Sequence, residues 1–188
     1  MEIEAKMKLA DPAEIEQTLR TLNAVYVGQI FENNTYLDTA DAALRQTDTG
    51  LRIRIENQQG EKPKIKVTYK GPRHPGQLKS RSEIELRVSD AEKAFEIFKS
   101  LGYQPVLNFE KCRRRWEFDC CRVELDTLPL IGHYIEIEGP DDQAILAVRE
   151  KLHMENVDLI TESYIAILKK HLNDNQLDTT YVTFENHP

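Results

Sequence analysis

The sequence predicts an α+β protein: an eight-stranded antiparallel sheet closed into a barrel, with helices packed on its outside. Eight segments alternate charged and apolar residues with a period of two, which is the pattern of strands with two different faces. Their polar faces are almost wholly ionised, and amphipathic helices are available to cover the apolar faces. If helices cover the apolar side, the charged sides must point at one another, which favours a barrel with a charged interior.

The strand prediction depends on the regularity of the alternation. In EIEAKMKL at 2–9, every second residue is charged and the intervening residues are all apolar. An antiparallel sheet with one face in water gives the same pattern, and for any single strand this is the simpler interpretation. Eight repetitions, with few Ser, Gln or Asn on the polar faces, favour the barrel. The predicted strands are 2–9, 31–38, 51–56, 64–70, 81–88, 111–118, 122–128 and 133–139.

Four helices are predicted between and after these strands. The first has Asp11 as its N-cap, followed by Pro12 in its first turn. The second opens with Ser89-Asp90-Ala91-Glu92 and ends at Gly102, a residue typical of helix C-termini. The third and fourth helices are predicted over residues 141–153 and 161–172.

A single domain is predicted over residues 1–172, because a chain of 188 residues suits one core better than two. The polar segment 173–188 is expected to be loosely ordered. Two strand–helix–strand units, opening with EIEAK at 2–6 and EIELR at 83–87, resemble one another, and each could form half of the barrel. Chance similarity between amphipathic units is the alternative.

Charge is unevenly distributed along the chain. The net charge is −7, from 25 Lys and Arg against 32 Asp and Glu. Residues 45–87 hold 11 basic and 5 acidic side chains, so the rest of the chain carries −13. The net acidity argues against nucleic acid as a partner. The basic middle of the chain nevertheless requires an explanation, and a compact anion is the simplest one.

Cysteine usage and hydropathy bear on where the protein works. Cys112, Cys120 and Cys121 are odd in number and form no CxxC pair, which indicates a reducing compartment rather than a disulfide framework or a zinc site. No stretch approaches the ~18 apolar residues of a membrane span, and the charged, alternating first residues do not resemble a signal peptide. A cytoplasmic protein without a membrane partner is expected.

The ionic faces carry two sets of side chains with opposite chemistry. Basic side chains that converge on a barrel interior repel one another unless an anion lies between them, and Arg and Lys are the usual phosphate ligands. Converging carboxylates require a cation, and oxygen ligands favour Mg²⁺ or Mn²⁺ held together with phosphate oxygens. Both sets together are suited to phosphoryl transfer. The basic set is Lys6, Arg52, Arg54, Lys66, Lys70, Arg81, Lys111 and Arg113, and the acidic set is Glu2, Glu4, Asp126, Glu136 and Glu138.

The segment EIEAK at 2–6 resembles the ExExK motif that opens the CYTH superfamily, the triphosphate tunnel metalloenzymes. The similarity continues in order along roughly residues 1–170. It implies a closed eight-stranded tunnel, a divalent metal and a small-molecule triphosphate as substrate. The segments YKGPR and SRSEIEL are most similar to the class IV adenylate cyclase branch. The matching blocks are TYLDT at 35–39, LRIR at 51–54, KVTYKGP at 66–72, RSEIE at 81–85, KCRRR at 111–115, ELD at 124–126 and IEIEG at 135–139.

The resemblance implies a role for each matching residue. The acidic set, Glu2, Glu4, Asp126, Glu136 and Glu138, is expected to hold the metal. The basic set is expected to hold the triphosphate, with Arg81 and Lys70 as its less secure members. Lys66, Lys111 and Tyr36 are the candidate catalytic residues, and the Tyr36 hydroxyl would orient a water together with a nearby Lys.

Four of the residues also have alternative interpretations. Arg81 could form a structural ion pair with Glu83 or Glu85, and Tyr36 could be a wall residue of the tunnel. Glu124 shares a strand face with Asp126 but could point past the metal. Trp116, on the opposite face of its strand, is interpreted as core beneath a helix.

Three functions are open from the sequence. A class IV adenylate cyclase would convert ATP to cyclic AMP and pyrophosphate. A triphosphatase would hydrolyse thiamine triphosphate or inorganic tripolyphosphate in the same tunnel, so the tunnel motifs alone do not separate the two enzymes. The third is a non-catalytic module that binds polyphosphate or a nucleotide; it would be expected to lack the metal carboxylates, and all five are present. A monomer or a homodimer is expected.

Overall fold

The structure is a computed structural model that describes residues 2–76 and 78–184. Nine strands and five helices follow one another along these residues. Their order is β1 (Glu2–Leu9), α1 (Pro12–Thr21), β2 (Val25–Thr39), α2 (Ala43–Gln46), β3 (Gly50–Gln58), β4 (Lys64–His74), β5 (Lys79–Val88), α3 (Ala91–Ser100), β6 (Tyr103–Phe118), β7 (Cys121–Leu128), β8 (Gly132–Glu138), α4 (Asp142–Lys151), α5 (Tyr164–Asp174) and β9 (Tyr181–Val182).

Strands β1 to β8 form the closed antiparallel barrel that the alternation predicts, so the predicted fold class is confirmed. The strand order is β2-β3-β4-β5-β1-β8-β7-β6, and the pairing of β2 with β6 closes the ring. That pairing is the longest in the sheet and contains two register shifts, where the strands bend. The pairing of β1 with β5 is short and joins only residues 2–4 to residues 79–81.

Two predicted strands are longer than their alternation suggested. Strand β2 begins at Val25 and β6 at Tyr103, each several residues before the predicted start. Their first residues, VYVGQI and YQPVLNFE, do not alternate cleanly because apolar residues occupy both faces. Pairing between these two strands extends both of them, and this extension was not visible from either segment alone.

Side-chain caps mark the starts of the first two long helices close to where they were predicted, whereas the helix predicted from residue 161 begins at Tyr164 without a side-chain cap. The Asp11 carboxylate accepts a hydrogen bond from the backbone N–H of Ala13 at 2.8 Å, and the Asp90 carboxylate accepts one from Lys93 at 3.0 Å. The four-residue helix α2 was not predicted. Asp38, at the end of β2, stabilises it by accepting from the backbone N–H groups that follow.

Apolar side chains lie between the barrel wall and the helices. Helices α1 and α4 pack on β1, β7 and β8, α5 packs on β6, β7 and β8, and α3 packs on β2, β3 and β6. Trp116 is 1% exposed in the first of these clusters, which confirms its interpretation as core. Because alternate side chains point to opposite faces of a strand, the outward burial beneath α1, α3 and α4 sends the charged residues of the same strands inward, whereas the α5 cluster uses inward-facing residues such as Phe109.

The segment after residue 172 contains the end of α5 and the two-residue strand β9. Strand β9 pairs in parallel with Asn108 and Phe109 of β6, and Val182 is buried there. The last part of the segment expected to be loosely ordered, 185–188, lies outside the described residues. Among the helices of the described chain, none has both the length and the apolar character needed to cross a membrane.

Candidate active site

The barrel encloses a cavity of about 1040 Å³. Side chains from all eight barrel strands line it, together with residues of α2 and α5. The lining holds sixteen basic and twelve acidic side chains, so the interior combines both signs with an excess of positive charge. Such a cavity is suited to a polyanion that brings its own metal ion.

The structure brings most of the predicted site residues together. All eight members of the predicted basic set line the cavity, and so do Tyr36 and four of the five predicted metal carboxylates: Glu2, Glu4, Glu136 and Glu138. Asp126 does not contribute to the lining. Its neighbour on the same strand face, Glu124, does.

Asp126 is on the same inward face of β7 as Glu124, but it is covered by three cavity-lining residues that bind its carboxylate. Lys111 Nζ donates at 3.1 Å, Arg113 donates through Nε at 2.7 Å and Nη2 at 2.6 Å, and the Tyr164 hydroxyl donates at 2.9 Å. Asp126 is 1% exposed. In this position it orients two cations of the basic set. A metal role for Asp126 would require some of these contacts to rearrange.

The carboxylates that line the cavity are paired with its cations. Glu2 lies 2.8 Å from Lys70, and Glu136 lies 3.2 Å from Lys6. Glu4 accepts a hydrogen bond from Lys79 at 2.5 Å. The predicted metal ligands and the cations of the tunnel therefore neutralise each other across the interior.

Arg113 is the most heavily paired cation of the tunnel. Its guanidinium contacts Glu124, Asp126 and Glu136, and its side chain is 7% exposed. Burial disfavours its charge, but Asp126, Glu124 and Glu32 outweigh that effect and raise the pKa of Arg113 well above its ordinary value. Arg113 is therefore a fixed positive charge among the carboxylates of the tunnel.

Arg52 has far fewer partners. Its guanidinium donates to the Thr68 hydroxyl at 3.4 Å, and its Nε has no hydrogen-bond partner among the described residues, although the residue is only 7% exposed. Arg81 Nε is likewise buried without a partner there, and the nearest acid to Arg81 is Asp48 at 3.7 Å. Buried guanidinium groups with unused donors are what a bound phosphate would satisfy.

The alternative pairing of Arg81 with Glu83 or Glu85 is not what the structure shows. Glu83 pairs with Lys70 at 2.9 Å, and Glu85 pairs with Lys66 at 3.3 Å. Asp48 is the acid beside Arg81. Arg81 therefore lines the cavity with its buried Nε unpaired among the described residues.

Tyr36 lies among cations. Its ring stacks on Phe109 with centroids 5.8 Å apart, and the Arg52 guanidinium is 5.9 Å from the ring centroid. Burial alone would raise the pKa of the Tyr36 hydroxyl, but Arg52, Lys70 and other nearby cations outweigh it and lower that pKa below its ordinary value. The hydroxyl is thus a better proton donor and water-orienting group than an ordinary tyrosine.

Four lining carboxylates, which we call the acidic wall, offer oxygen ligands that suit a hard divalent cation: Glu2, Glu4, Glu136 and Glu138. Glu138 pairs with Arg122 at 2.8 Å, but burial and the nearby carboxylates of Glu124, Glu2 and Glu4 still raise its pKa. Carboxylates that oppose each other's ionisation are relieved by a metal ion. Within residues 2–76 and 78–184, however, no three Asp, Glu, His or Cys side chains are already arranged as a metal-binding group. Binding a metal would therefore require these carboxylates to leave their cationic partners.

Sequence reasoning missed several residues of this network. Glu32 is fully buried and pairs with Arg54 at 3.0 Å and Lys111 at 3.3 Å, and these cations hold the pKa of its carboxyl well below the usual range despite its burial. Its place on the polar face of β2 was a usable signal. Tyr164, with Lys6 Nζ 3.9 Å from its ring centroid, begins a helix and carried no such signal.

One end of the tunnel has an apolar wall. The end of β2, the start of β6, α2 and α5 meet there, since Leu37 pairs in register with Pro105. The apolar lining residues all belong to these elements: Leu37, Leu44, Val106, Ile165 and Ala166, of which Leu37 and Leu44 also pack in the apolar cluster beneath α3. Lys169 of α5 lines the same mouth and is partly buried. The mouth can therefore contact an organic group, while the charged interior beside it contacts phosphates.

A closed barrel whose interior has cations for phosphates and carboxylates for a metal ion is characteristic of the tunnel proteins that bind a triphosphate. The chain belongs to the CYTH family, because the model of the CYTH domain matches residues 1–164. This confirms the family that the ordered motifs indicated.

The chain is also similar to named relatives. It is 31% identical to a Methanocaldococcus jannaschii protein named "Putative adenylate cyclase" over 90% of this chain and 88% of the relative. It is 28% identical to the adenylate cyclase CyaB of Aeromonas hydrophila over 93% and 92% of the two chains. These similarities extend along nearly the whole of each protein.

Solved structures agree on the fold. The PH1819 protein of Pyrococcus horikoshii matches with a TM-score of 0.80 and 27% identity, covering 90% of this chain and 99% of that one. A protein of Hippeastrum, described as an adenylyl cyclase homologue with a dominant triphosphatase activity, matches with a TM-score of 0.72 over 90% and 96% of the two chains. At 17% identity the second similarity concerns the fold alone.

Proposed function

We propose that this protein is a divalent-metal-dependent enzyme that converts ATP to cyclic AMP and pyrophosphate in its tunnel. The observation that carries this proposal is the apolar wall at one mouth, directly beside the cationic interior. A triphosphate alone needs cations, whereas a nucleotide also needs a surface for its base. The two relatives named as adenylate cyclases support the same reaction.

The cationic interior would bind the phosphates. Arg52 and Arg81 have unused buried donors, and Lys70 and Lys79 can exchange their carboxylate partners for phosphate oxygens. Lys66 and Lys111 are each held between two acids and stay predicted as catalytic residues. Together these side chains would fix the triphosphate in an extended position along the tunnel.

The acidic wall would hold the metal through Glu2, Glu4, Glu136 and Glu138. When bound, Mg²⁺ or Mn²⁺ would neutralise charge on the phosphate oxygens. The carboxylates fit such an ion because their ligand atoms are all oxygens. A cation would also favour the ionised form of Glu138, whose pKa the nearby carboxylates raise. Asp126 stays predicted as a metal ligand, although its present contacts favour orienting Lys111 and Arg113.

Cyclisation requires the ribose 3′-oxygen, the α-phosphorus and the leaving oxygen to be held in line. The ribose 3′-oxygen forms a bond to the α-phosphorus while the bond from that phosphorus to the bridging oxygen breaks, and pyrophosphate leaves with the electron pair. The 3′-hydroxyl proton is released to a carboxylate of the acidic wall or to water. The apolar mouth would place the adenosine group so that the 3′-hydroxyl lies in line with the leaving oxygen.

The second candidate is a triphosphatase, and Tyr36 favours it. Its hydroxyl has a lowered pKa and lines the cavity among Arg52 and Lys70, where it could orient a water toward a phosphorus atom. The phosphate-binding residues would be the same in both reactions. The products therefore decide between them.

Product identification tests the proposal. The enzyme is incubated separately with ATP, thiamine triphosphate and tripolyphosphate, each with Mg²⁺ or Mn²⁺. Cyclic AMP and pyrophosphate from ATP are expected, with little turnover of tripolyphosphate. Orthophosphate from all three substrates would replace the cyclase proposal with the triphosphatase. No turnover of any substrate, with triphosphate still bound, would indicate a binding module.

A matched pair of variants tests the apolar mouth. Leu44→Asn is expected to raise the KM for ATP several-fold and to leave tripolyphosphate binding unchanged, because the Leu44 side chain lines the cavity but offers a phosphate no hydrogen-bond donor. Leu101→Asn is the control, since Leu101 follows the last residue of α3 and is exposed. An equal effect of Leu44→Asn on both ligands would argue against an organic group at this mouth.

A further inference from the structure

The tunnel leads to the surface at a second end, opposite the apolar mouth. A hollow of about 90 Å³ adjoins the main cavity there. On β2, Leu37 marks the apolar mouth and Ile30 marks the hollow, and the two residues are ~23 Å apart at about 3.3 Å per residue of strand. The hollow is open to water, because Lys62 and Lys64 in its lining are exposed. The residues that line both the hollow and the main cavity are Glu56, Lys66, Arg87 and Arg115.

The lining of the hollow is strongly basic. It holds five basic side chains against the two acidic side chains of Glu56 and Glu61. Lys62 forms no ion pair with any described residue. Arg115 donates through Nε to Glu124 at 2.9 Å, whereas its two Nη groups donate no hydrogen bond to the described part of the chain. Unused donors on cations are suited to phosphate oxygens. We call this site the basic mouth, and its cations are Lys62, Lys64, Lys66, Arg87 and Arg115.

Little apolar surface is available at the basic mouth. Ile30 is the single apolar side chain among the described residues that line it, and Ile30 belongs to none of the apolar clusters beneath the helices. The apolar mouth, by contrast, has five apolar side chains. A nucleoside therefore has a contact surface at the apolar mouth, whereas the basic mouth suits a small inorganic anion.

The order of groups along a bound nucleotide decides where each product forms. With its adenosine group at the apolar mouth, ATP directs its phosphates into the tunnel, toward the basic mouth. After cyclisation, cyclic AMP lies on the apolar side of the broken bond and pyrophosphate lies on the basic side. Cyclic AMP therefore stands between pyrophosphate and the apolar mouth, while the basic mouth stays open to water.

We propose that the basic mouth is a binding site for pyrophosphate, and that pyrophosphate leaves the tunnel there while cyclic AMP leaves through the apolar mouth. The identity of these two products rests on the proposed cyclase reaction. Lys66, Arg87 and Arg115 line the main cavity as well as the basic mouth, so they connect the two. A cleft whose charges have one sign attracts ions of the other sign, which favours transfer of the anion from the interior to the mouth.

Pyrophosphate binding to a filled tunnel gives the first test. The tunnel is saturated with Mn²⁺ and α,β-methylene ATP, which resists cleavage between its α- and β-phosphorus atoms, and pyrophosphate is titrated by calorimetry. One pyrophosphate per chain is expected to bind. This measurement needs no turnover, so it still tests the site if product identification replaces the cyclase with a triphosphatase.

A matched pair of charge reversals locates the bound anion. Lys64→Glu is expected to weaken pyrophosphate binding to the filled tunnel about five-fold, because one exposed cation of the mouth becomes an anion. Lys93→Glu is the control and should bind as the wild type does. Both lysines form surface ion pairs with an acid three residues before them, Lys64 with Glu61 and Lys93 with Asp90, but Lys93 lies on α3 and does not line the hollow.

Release kinetics test the exit itself. Gln58 lines the hollow opposite Ile30 in register, so Gln58→Trp narrows it. In a single turnover of ATP, this variant is expected to form cyclic AMP at the wild-type rate and to release pyrophosphate about five-fold more slowly. Added cyclic AMP should not slow the release of pyrophosphate from the wild type, and this experiment decides the matter if Gln58→Trp does not fold.

Three results would overturn the proposal. The first is the absence of pyrophosphate binding to the filled tunnel. The second is equal affinity for pyrophosphate in Lys64→Glu and Lys93→Glu. The third is a release of pyrophosphate that cyclic AMP slows, because both products would then share the apolar mouth.

Discussion

Glu2 and Lys70 form an ion pair with 2.8 Å between Oε2 and Nζ. The sequence predicts Glu2 as a metal ligand and Lys70 as a triphosphate ligand. Glu136 and Lys6 repeat the relationship at 3.2 Å. The candidate ligands of the metal and of the triphosphate are therefore each other's counterions, and binding of either ligand disturbs the site of the other.

Metal and triphosphate are expected to bind cooperatively. A triphosphate that takes Lys70 leaves Glu2 free for a metal ion, so each ligand should raise the affinity for the other by ~5–150-fold. Calorimetric titration with Mn²⁺, with and without tripolyphosphate and corrected for complex formation in solution, measures the effect. In Lys70→Met the cooperativity should be smaller. Lys151→Met is the control, since Lys151 pairs with Asp119 on the outside; equal cooperativity in all three proteins would contradict the expectation.

Arg52 and Arg113 are expected to respond differently to replacement by Met. Arg52→Met should abolish triphosphate binding and change the free energy of unfolding by less than ~1 kcal/mol, because no ion pair is broken. Arg113→Met leaves three buried acids without their shared partner and should cost about 3–5 kcal/mol. Urea unfolding and calorimetry measure both quantities. Similar losses of stability in the two variants would show that Arg52 is also structural.

Asp126 and Glu138 offer a second contrast. Asp126→Asn should destabilise the fold by about 3–5 kcal/mol, because Lys111, Arg113 and Tyr164 all bind this carboxylate. Glu138→Gln should leave stability unchanged or raise it, since the pKa of Glu138 is already raised. The same substitution should weaken metal binding. Thermal unfolding with and without Mn²⁺ separates the effects, and a stable Asp126→Asn protein that has lost metal affinity would return Asp126 to the metal site.

Glu32 is expected to contribute to the pH dependence of stability. Its pKa is lowered in the folded protein because Arg54, Lys111 and Arg113 outweigh its burial, so its stabilisation is present above the unfolded pKa of about 4.3. That contribution is lost progressively as the pH falls below this value toward the folded pKa. Glu32→Gln should therefore be less stable at pH 7 and show a flatter decline in acid.

Urea unfolding between pH 7 and pH 3 checks this expectation. Glu61→Gln is the control, because Glu61 pairs with Lys64 at the surface and surface pairs contribute little. Parallel stability curves for the wild type and Glu32→Gln would mean that other carboxylates dominate the acid transition.

Local sequence pattern was sufficient for the barrel and for most of its lining. Arg52 and Arg54 both face the cavity because residues two apart on a strand share a side. The cap at Asp11 was equally predictable, and the cap at Asp90 lies one residue inside the predicted helix opening, since a cap is set by a few neighbouring residues. These features depend on the chain's geometry over a few positions, so the sequence by itself determined them.

The depth of each side chain along the tunnel was decided only by the tertiary structure. Asp126 and Glu124 share a strand face, yet Glu124 lines the cavity and Asp126 is covered by Lys111, Arg113 and Tyr164. Tyr164 reaches Asp126 from a helix that begins 38 residues later. Alternation specifies the face of a residue but not its level, because the level depends on the stagger between strands that meet when the barrel closes.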